Sequence, residues 1–588
     1  MIRLHKLYSQ PETFKPISFY DGINIILGEK VPDSESRSTS RKDKKTNGVG
    51  KSLSVEFINF CLLKDSSDSR VMKIPLDKFS HNAIICLDVS IGGKELTLRR
   101  TIKEPNKPEI VCEGQITKFK NMADATTYLG NLLFSNSGDD IERPSFREFM
   151  GPLIRSEDSE FKSILNCYDL REKIPDQDLT KPHLYLFGIN PSYIRRIKKV
   201  FKEIDEKQKT KNHITKRLTG SGNQNISDIK AEVNDSELEL GKINSLLDEY
   251  KMEPIFQNNQ EELGNIDLEC EQLRIKRAAL RFELQRIESI PKLEIIDTSE
   301  VQFVYNKFAK GLGDLVARSI SDVVAFKQKI ENYQKILIDG RAHEIRSEVQ
   351  KIQSRLSVLD ARRSSLLVMI NFNGSLDSLK ESYALMSRRK ENLSITQANL
   401  REHESVEYEI NVLKRKRDGY VSALEDEIMS YNSVIDDFNR TLADIHSYIM
   451  GNAKITFDIS AVKSGKGKKI VQFDFRIPED GSHSVDREKV FIYDIALMIN
   501  NHTKKRHPSI LVHDNIFDVD QDTLVQSLNF LAEQEEKSNF QYILTLNRDK
   551  IENEERTKEI KLDIQAHTRA TFTRKDRFLR EVVYSEID

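Results

Sequence analysis

Tryptophan is absent from this chain of 588 residues, and cysteine occurs only five times. Cys61, Cys86, Cys112, Cys167 and Cys270 lie far apart and no Cys-x-x-Cys occurs. That spacing excludes a zinc hook, a zinc ribbon or a thioredoxin-type redox pair at the level of local motif, and it leaves reduced, buried thiols as the default. Long apolar runs are missing as well. No stretch of about 18 apolar residues could span a bilayer, and the first residues do not read as a signal peptide, so a cytoplasmic protein without a membrane partner is expected. There is almost no net charge either: at −2 the chain has no global basic field, and a nucleic-acid site would have to be a local patch. The hydrophobic fraction is only 38% against 31% charged residues, a lean balance that suits long helices with solvated faces. The length allows three or four domains at about 150 residues each.

What is present starts at Thr46–Ser52, Thr-Asn-Gly-Val-Gly-Lys-Ser. Upstream, Ile23–Leu27 reads as a buried strand ending at Gly28; downstream, Leu53–Leu63 has the apolar spacing of a helix. A Gly-Lys-Ser between a strand and a helix is the working end of a phosphate-binding loop. Its glycines let backbone N–H groups close on phosphates, and the helix N-terminus adds its positive end. Gly28, Asn47, Gly48, Val49, Gly50, Lys51, Ser52 and Leu53 form the expected nucleotide-binding set. Lys51 would neutralise the β- and γ-phosphates of ATP, and Ser52 would place its hydroxyl on Mg²⁺. The usual spacing asks for glycine where Lys45 stands. Gly28 is then the first glycine, with Glu29–Lys45 inserted as a Ser-, Lys-, Arg- and Asp-rich segment whose composition predicts mobility.

Residues 1–190 read as a mixed α/β lobe. Short strands are expected at Ile2–Tyr8 and Ile17–Phe19, a hairpin at Ala83–Ile91 and Glu95–Ile102 across Gly92-Gly93, and a helical stretch at Phe146–Ile154. Arg99, Arg100 and Arg155 either face phosphate or are solvated and salt-bridged. From about Pro191 the period changes. Leu263, Ile266, Cys270, Leu273, Leu280, Leu284 and Ile287 follow an alternating three–four spacing, as do Val349–Ile370 and Leu376–Leu400. This is a heptad seam, and Arg277, Arg363 and Lys390 are its polar positions, which set register rather than chemistry. Breaks at 220–222, Pro254, Pro291 and 371–375 segment it, and the best turn signals lie at 289–293 and 311–313.

Strands return after about Ile449. Ala453–Ile459 and Ile470–Ile477 flank a basic tip carrying Lys463, Lys466, Lys468 and Lys469. Such a tip is either solvated or a contact to DNA phosphates. An apolar helix follows from about Asp486 to Asn500, preceded by Ser482 and Ser484. Pro508–Asp514 is a hydrophobic strand ending in a carboxylate, and Phe540–Leu546 is a further strand ending at Asn547.

A phosphate loop near one end, a long coiled coil, and an Asp-terminated strand near the other resemble the Rad50 and SMC ATPases. Lys45–Ser52, Lys489–Leu497 and His513-Asp514-Asn515 are similar to a bacterial family of Rad50/SMC-like proteins catalogued by a C-terminal domain of unknown function. The architecture covers the whole chain. The resemblance implies an α/β fold: an ABC-type ATPase head assembled from N- and C-terminal lobes, residues 1–190 and 450–588, joined by a long antiparallel coiled-coil arm, 191–449. It also implies a homodimer through ATP-sandwiched heads, accessory and effector subunits from the same operon, and double-stranded DNA as a partner. Members resemble ATPase components of phage-defence operons such as Lamassu-like and ABC three-component systems.

Carried over by residue, Asp514 matches the aspartate that holds Mg²⁺ through water, and Ser484 stands where a signature serine would read the γ-phosphate of the other head. Ser484 as an ordinary helix N-cap is compatible with that role. The departures concern catalysis. Asn515 stands where the water-orienting glutamate should be; an amide holds water but cannot accept its proton. Asp518 is the nearest replacement carboxylate, with Asp520 beside it, and Asn547 replaces the switch histidine. His513 reads as a packed strand residue rather than a base. ATP binding with slow hydrolysis is expected, driving head dimerisation that controls DNA engagement. The alternative is a nucleotide-gated coiled-coil scaffold for protein partners without direct DNA binding. A transporter subunit is disfavoured by the length of helix between the nucleotide motifs.

Overall fold

The computed structural model describes residues 1–30, 48–75, 79, 83–135, 141–167, 176–219, 225–251, 260–288, 313–370, 376–462, 469–478, 483–551 and 558–579. They form two compact units, one of residues 1–199 with 417–588 and one of residues 200–416. The helix Asn432–Met450 has helical period but belongs to the first unit, burying Ile435, Phe438, Leu442, Ile445 and Ile449 there. Phe438 meets Phe187 at 4.8 Å, Phe457 at 5.1 Å and Tyr493 at 5.7 Å between ring centroids. Periodicity predicts such a helix but not what it packs against.

The strands in chain order are β1 (Ile2–Gln10), β2 (Ile17–Ser18), β3 (Gly22–Gly28), β4 (Ile84–Ile91), β5 (Lys94–Thr101), β6 (Glu109–Cys112), β7 (Gln115–Lys118), β8 (Ile154–Arg155), β9 (Thr456–Ala461), β10 (Val471–Arg476), β11 (Ile510–His513), β12 (Gln541–Asn547) and β13 (Thr568–Phe572). One sheet has the order β13-β3-β12-β11-β8, and every pair in it is parallel. Both ends of the chain build it. Its central strands are near-continuous apolar runs, Ile-Asn-Ile-Ile-Leu in β3 and Tyr-Ile-Leu-Thr-Leu in β12, each interrupted by one buried polar residue, as suits a parallel sheet covered on both faces. A second, antiparallel sheet runs β2-β1-β4-β5-β6-β7, and β9 pairs with β10.

Side chains rather than strand pairing tie the two larger sheets. The buried amide of Gln541 in β12 accepts from Leu4 N and donates to Leu4 O, both at 2.8 Å, as a strand neighbour would. Arg3 reaches Asp21 at 2.7 Å and the carbonyl of Ser509 at 2.8 Å. Arg100 does not face phosphate: it is buried, 3.8 Å over the ring of Phe60, and donates to the carbonyls of Phe60, Lys64 and Pro105. Arg99 pairs with Glu109 at 3.6 Å. The stretch expected as a helix over 146–154 is a helix only at Phe146–Met150, because Pro152 diverts it into a short 3₁₀ turn before β8.

On the helix His483–Ile499, Glu488 is 4% exposed, lies 3.9 Å from His446, and its Oε1 has no hydrogen-bond partner among the described residues. Burial, helped by Asp520, pushes its carboxyl from 4.5 to about 7. A raised pKa favours the folded state fully below the unfolded value and loses that advantage as pH rises through the folded one. Glu488→Gln is therefore expected to be more stable than the parent at pH 8, by up to about 3 kcal/mol, and close to it near pH 4.5. Denaturant unfolding at both pH values checks this; an equal difference at the two would remove Glu488 as the cause.

In the second unit, the helices Gln260–Glu288 and Gly313–Ile370 run antiparallel. Glu283 pairs with Arg341, Lys276 with Glu348, Glu269 with Arg355 and Glu262 with Arg362, in reverse order along the two helices. Leu263, Ile266 and Cys270 bury against Ile352, Leu356, Leu359 and Leu366, all seam positions. The polar seam residues are ion-paired, Arg277 with Glu391, Lys390 with Glu271, and Arg363 with Asp267 at 2.9 Å. The long helix Leu376–Ser430 brings Val406 and Ile410 against Ile214. The breaks at 220–222, Pro254, Pro291 and 371–375, and the turn signals at 289–293 and 311–312, lie outside the described residues. No helix among the described residues is long and apolar enough to cross a membrane.

Candidate active site

The register of the parallel sheet decides which residues meet. Gly28 at the end of β3 is level with Asn547 at the end of β12, and His513 at the end of β11 is level with Arg155 at the end of β8. Residues just past these points, Asp514-Asn515 and Ser156-Glu157, therefore emerge at one edge of the sheet. Ligands of open α/β sheets bind at that carboxyl edge.

The loop Gly48–Gly50 opens onto the same edge and feeds the helix Lys51–Cys61. Gly48 has φ 77° and Gly50 φ 111°, conformations that only glycine adopts without strain. At Gly50 a Cβ would also lie 2.5 Å from the Cβ of Phe578, whose N–H donates to the Val49 carbonyl at 3.2 Å. Val49 within the loop and Leu53 in the first turn of the helix are both buried. Asn47 and the insert over 31–45 lie outside the described residues.

Lys51 is 7% exposed, and its ammonium donates to the Asn547 side-chain oxygen. Gly28 makes room for it, since a Cβ there would sit 2.8 Å from Lys51 Nζ. Burial lowers the Lys51 pKa, against the opposing pull of Asp514, Glu157 and Asp549. A buried ammonium that keeps its charge calls for an anion, and this one sits at a helix N-terminus.

Asp514 is 1% exposed. The Ser52 hydroxyl donates to it, and Thr545 Oγ1 donates to its Oδ1 at 2.8 Å. Burial raises its carboxyl to about 6, against the opposing hydrogen bonds from Ser52 and Thr545 and the charge of Lys51. One hydroxyl and one buried carboxylate are hard oxygen donors of the kind Mg²⁺ shares with substrate phosphates. The residues fit that ion: Ser52 and Asp514 would hold it.

Asn515 has φ 60°, a left-handed conformation that asparagine tolerates. Its N–H donates to Thr545 Oγ1 at 2.8 Å, and its side-chain Nδ2 donates to Glu157 Oε1 at 3.2 Å. Glu157 is exposed at the start of the 3₁₀ turn Glu157–Ser159. Sequence reading passes over this glutamate, because it lies far from Asp514 in the chain and carries no motif; its place two residues beyond a short strand is the only available signal.

Asp518 points elsewhere. Lys550 at 2.9 Å and Arg487 at 4.0 Å hold its carboxylate, and the hydrogen bond from Lys550 keeps its pKa below the usual range despite burial. Asp520 caps the helix Gln521–Lys537, accepting from Thr523 N at 3.0 Å. Ser484 is the second residue of the helix His483–Ile499, inside its first turn rather than at its cap. Lys469 is exposed, while Lys463, Lys466, Lys468 and Ser482 lie outside the described residues.

Behind the edge sits a charged cluster with no exposed side chain. Arg155, Asp494 and His513 are each 0% exposed. Arg155 donates twice to Asp494, once at 2.9 Å, and also to the carbonyl of Ile164 at 2.6 Å, so it does not face phosphate. Burial lowers the His513 pKa against the opposing pull of Asp494. Its Nε2 faces Asp494 Oδ2 at 3.0 Å, where a carboxylate can only accept, and its Nδ1 lies 3.0 Å from the Tyr542 hydroxyl. His513 is thus a packed link between the apolar helix and the strand that carries Asp514.

Residues 445–581 match the family described as "Uncharacterised protein conserved in bacteria (DUF2326)". The chain is 23% identical over 527 residues to "Uncharacterized protein YydD" of Bacillus subtilis (strain 168), covering 84% of each. Among solved structures it is similar to the Smc head domain with a coiled coil and joint from Pyrococcus yayanosii, at 13% identity and a TM-score of 0.34, over 93% of this chain and 92% of that one. It is also similar to the Smc head domain with an extended coiled coil bound to the C-terminal domain of ScpA from Pyrococcus furiosus, at 10% identity and a TM-score of 0.33, over 94% of this chain and 91% of that one.

Proposed function

We propose that this chain is an ATP-binding and slowly hydrolysing ATPase of the SMC/Rad50 type, in which two heads sandwich ATP and thereby control engagement of double-stranded DNA and partner subunits. The observation that carries the reading is the meeting of Lys51, Ser52 and Asp514 at the carboxyl edge of one parallel sheet built from both chain ends. The loop amides and Lys51 bind and orient the triphosphate, with Gly28 and Asn547 shaping the space around the ammonium. Mg²⁺, when bound, neutralises charge on the β- and γ-oxygens. Ser484, in the first turn of its helix, reads the γ-phosphate held by the other head.

ATP should accordingly convert the protein from monomer to dimer in sedimentation, and Ser484→Arg should leave it monomeric by filling the space of the γ-phosphate. Equal dimerisation of parent and variant would reduce Ser484 to a first-turn residue. Linear or circular double-stranded DNA should raise ATP turnover. Turnover and dimerisation that ignore DNA would instead favour the nucleotide-gated scaffold.

A further inference from the structure

We propose that Glu157 is the carboxylate that accepts the proton of the attacking water, supplied across the sheet from β8 to the position that Asn515 leaves without a base. The inference rests on the ATPase reading and adds to it the identity of the base.

Three features of the geometry carry it. First, the sheet register brings the two segments together. Asp514 N donates to the Arg155 carbonyl at 2.9 Å, and two residues on, Glu157 Oε1 accepts from Asn515 Nδ2 at 3.2 Å. Lys51 and Asp514 both lie within electrostatic reach of the Glu157 charge. Second, the turn that carries Glu157 is held on both sides. Arg155 before it and Ser159 and Phe161 after it are 0% exposed. Glu160 and Phe161 have φ of 49° and 54°, left-handed values that non-glycine residues rarely adopt. Such strain persists where the surroundings over-determine a conformation, and it clusters at functional sites. The glutamate side chain itself is open to water. Third, the other candidates are engaged. Asp518 is bound by Lys550 and Arg487, Asp520 caps a helix, and both ring nitrogens of His513 are used.

Asn515 also gains a physical reason. At φ 60° a glutamate would be strained, whereas asparagine sits there readily and spends its amide on orienting Glu157. In the step itself the water oxygen bonds to the γ-phosphorus. The bond from that phosphorus to the bridging oxygen breaks, and its electron pair stays with ADP. The water proton passes to the Glu157 carboxylate and from there to solvent or the released phosphate.

The experiment compares parent, Glu157→Gln, Asp518→Asn and the double variant Glu157→Gln with Asn515→Asp. Glutamine keeps the acceptor for Asn515 but takes no proton. Glu157→Gln should lower ATP turnover by about 10²-fold or more, the typical range of general-base assistance. Its ATP affinity by calorimetry should stay within about threefold, since binding uses other groups, and its ATP-bound dimer should live longer. Asp518→Asn should keep turnover within a few-fold, and the double variant should regain part of the loss, a rescue that a merely structural role would not give. Parent-like turnover in Glu157→Gln, or turnover lost only in Asp518→Asn, overturns the proposal. So does a parent that binds ATP without turning it over. A parent that binds no ATP overturns the ATPase reading itself, and the proposal with it.

Discussion

Replacing Asp494 with alanine is expected to destabilise the folded chain by about 3–5 kcal/mol, the cost of removing one partner of a buried ion pair. The cost arises from what stays behind. Arg155 would remain 0% exposed with its charge uncompensated, and His513 would lose the acceptor of its Nε2 proton. The penalty is for breaking the cluster, not a measure of its net worth, because well-packed apolar groups often do as well as a buried pair. Asp494→Asn should cost less, since its oxygen still accepts one hydrogen bond while the charge is lost. Burial by itself would raise the Asp494 carboxyl, but Arg155 and His513 overcome it and hold the pKa below 3.8. A depressed carboxylate contributes stability that is present above the unfolded value and lost as pH falls through the folded one. The gap between parent and Asp494→Ala should therefore narrow in acid below about pH 4. Urea unfolding of the three proteins at neutral and acid pH checks this, and a neutral-pH loss under about 1 kcal/mol would mean that the cluster relaxes to let in water.

The second large effect is expected at Lys51. Lys51→Ala should weaken ATP binding about 100-fold or more, equivalent to about 2.7 kcal/mol, because a buried charge-assisted contact to phosphate is lost while the loop backbone stays. The lysine is positioned for it: 7% exposed, above Gly28, at the first turn of the helix that the loop opens into. Lys51→Met keeps most of the apolar stem and should lose nearly as much, which separates charge from packing. Calorimetric titration with ATP and Mg²⁺ decides; unchanged affinity in both variants would leave the Gly-Lys-Ser without a nucleotide role and remove the basis of the proposed function.

Local chemistry made a good part of this legible from residues alone. The strand ending at Gly28 and the helix opening at Lys51 follow from an apolar run, a pair of positive-φ glycines and helical spacing, all short-range properties. The apolar seam over Leu263–Leu366 was equally plain, because period depends only on neighbours a turn or two away. The strand carrying Asp514 announced itself by its composition, and β11 ends one residue before it.

Three things needed the tertiary structure, each because it depends on register between distant segments. The short helix Asn432–Met450 continues the helical period yet packs in the first unit, and only its aromatic neighbours decide that. For Arg155 the residues alone leave phosphate contact and salt-bridging both open, and only the approach of Asp494, 339 residues away, decides for the salt bridge. Asp518 was the nearest carboxylate to Asp514 along the chain, whereas in space it pairs with Lys550, and Glu157, 358 residues from Asn515, takes the adjoining place. By itself the sequence marked the strand ending at Gly28, the helix opening at Lys51 and the strand before Asp514, and it singled out the loop expected to take phosphate, since those follow from dihedral preference and period. Which carboxylate stands beside that loop was decided by the parallel pairing of β8 with β11, a long-range contact that no local pattern encodes.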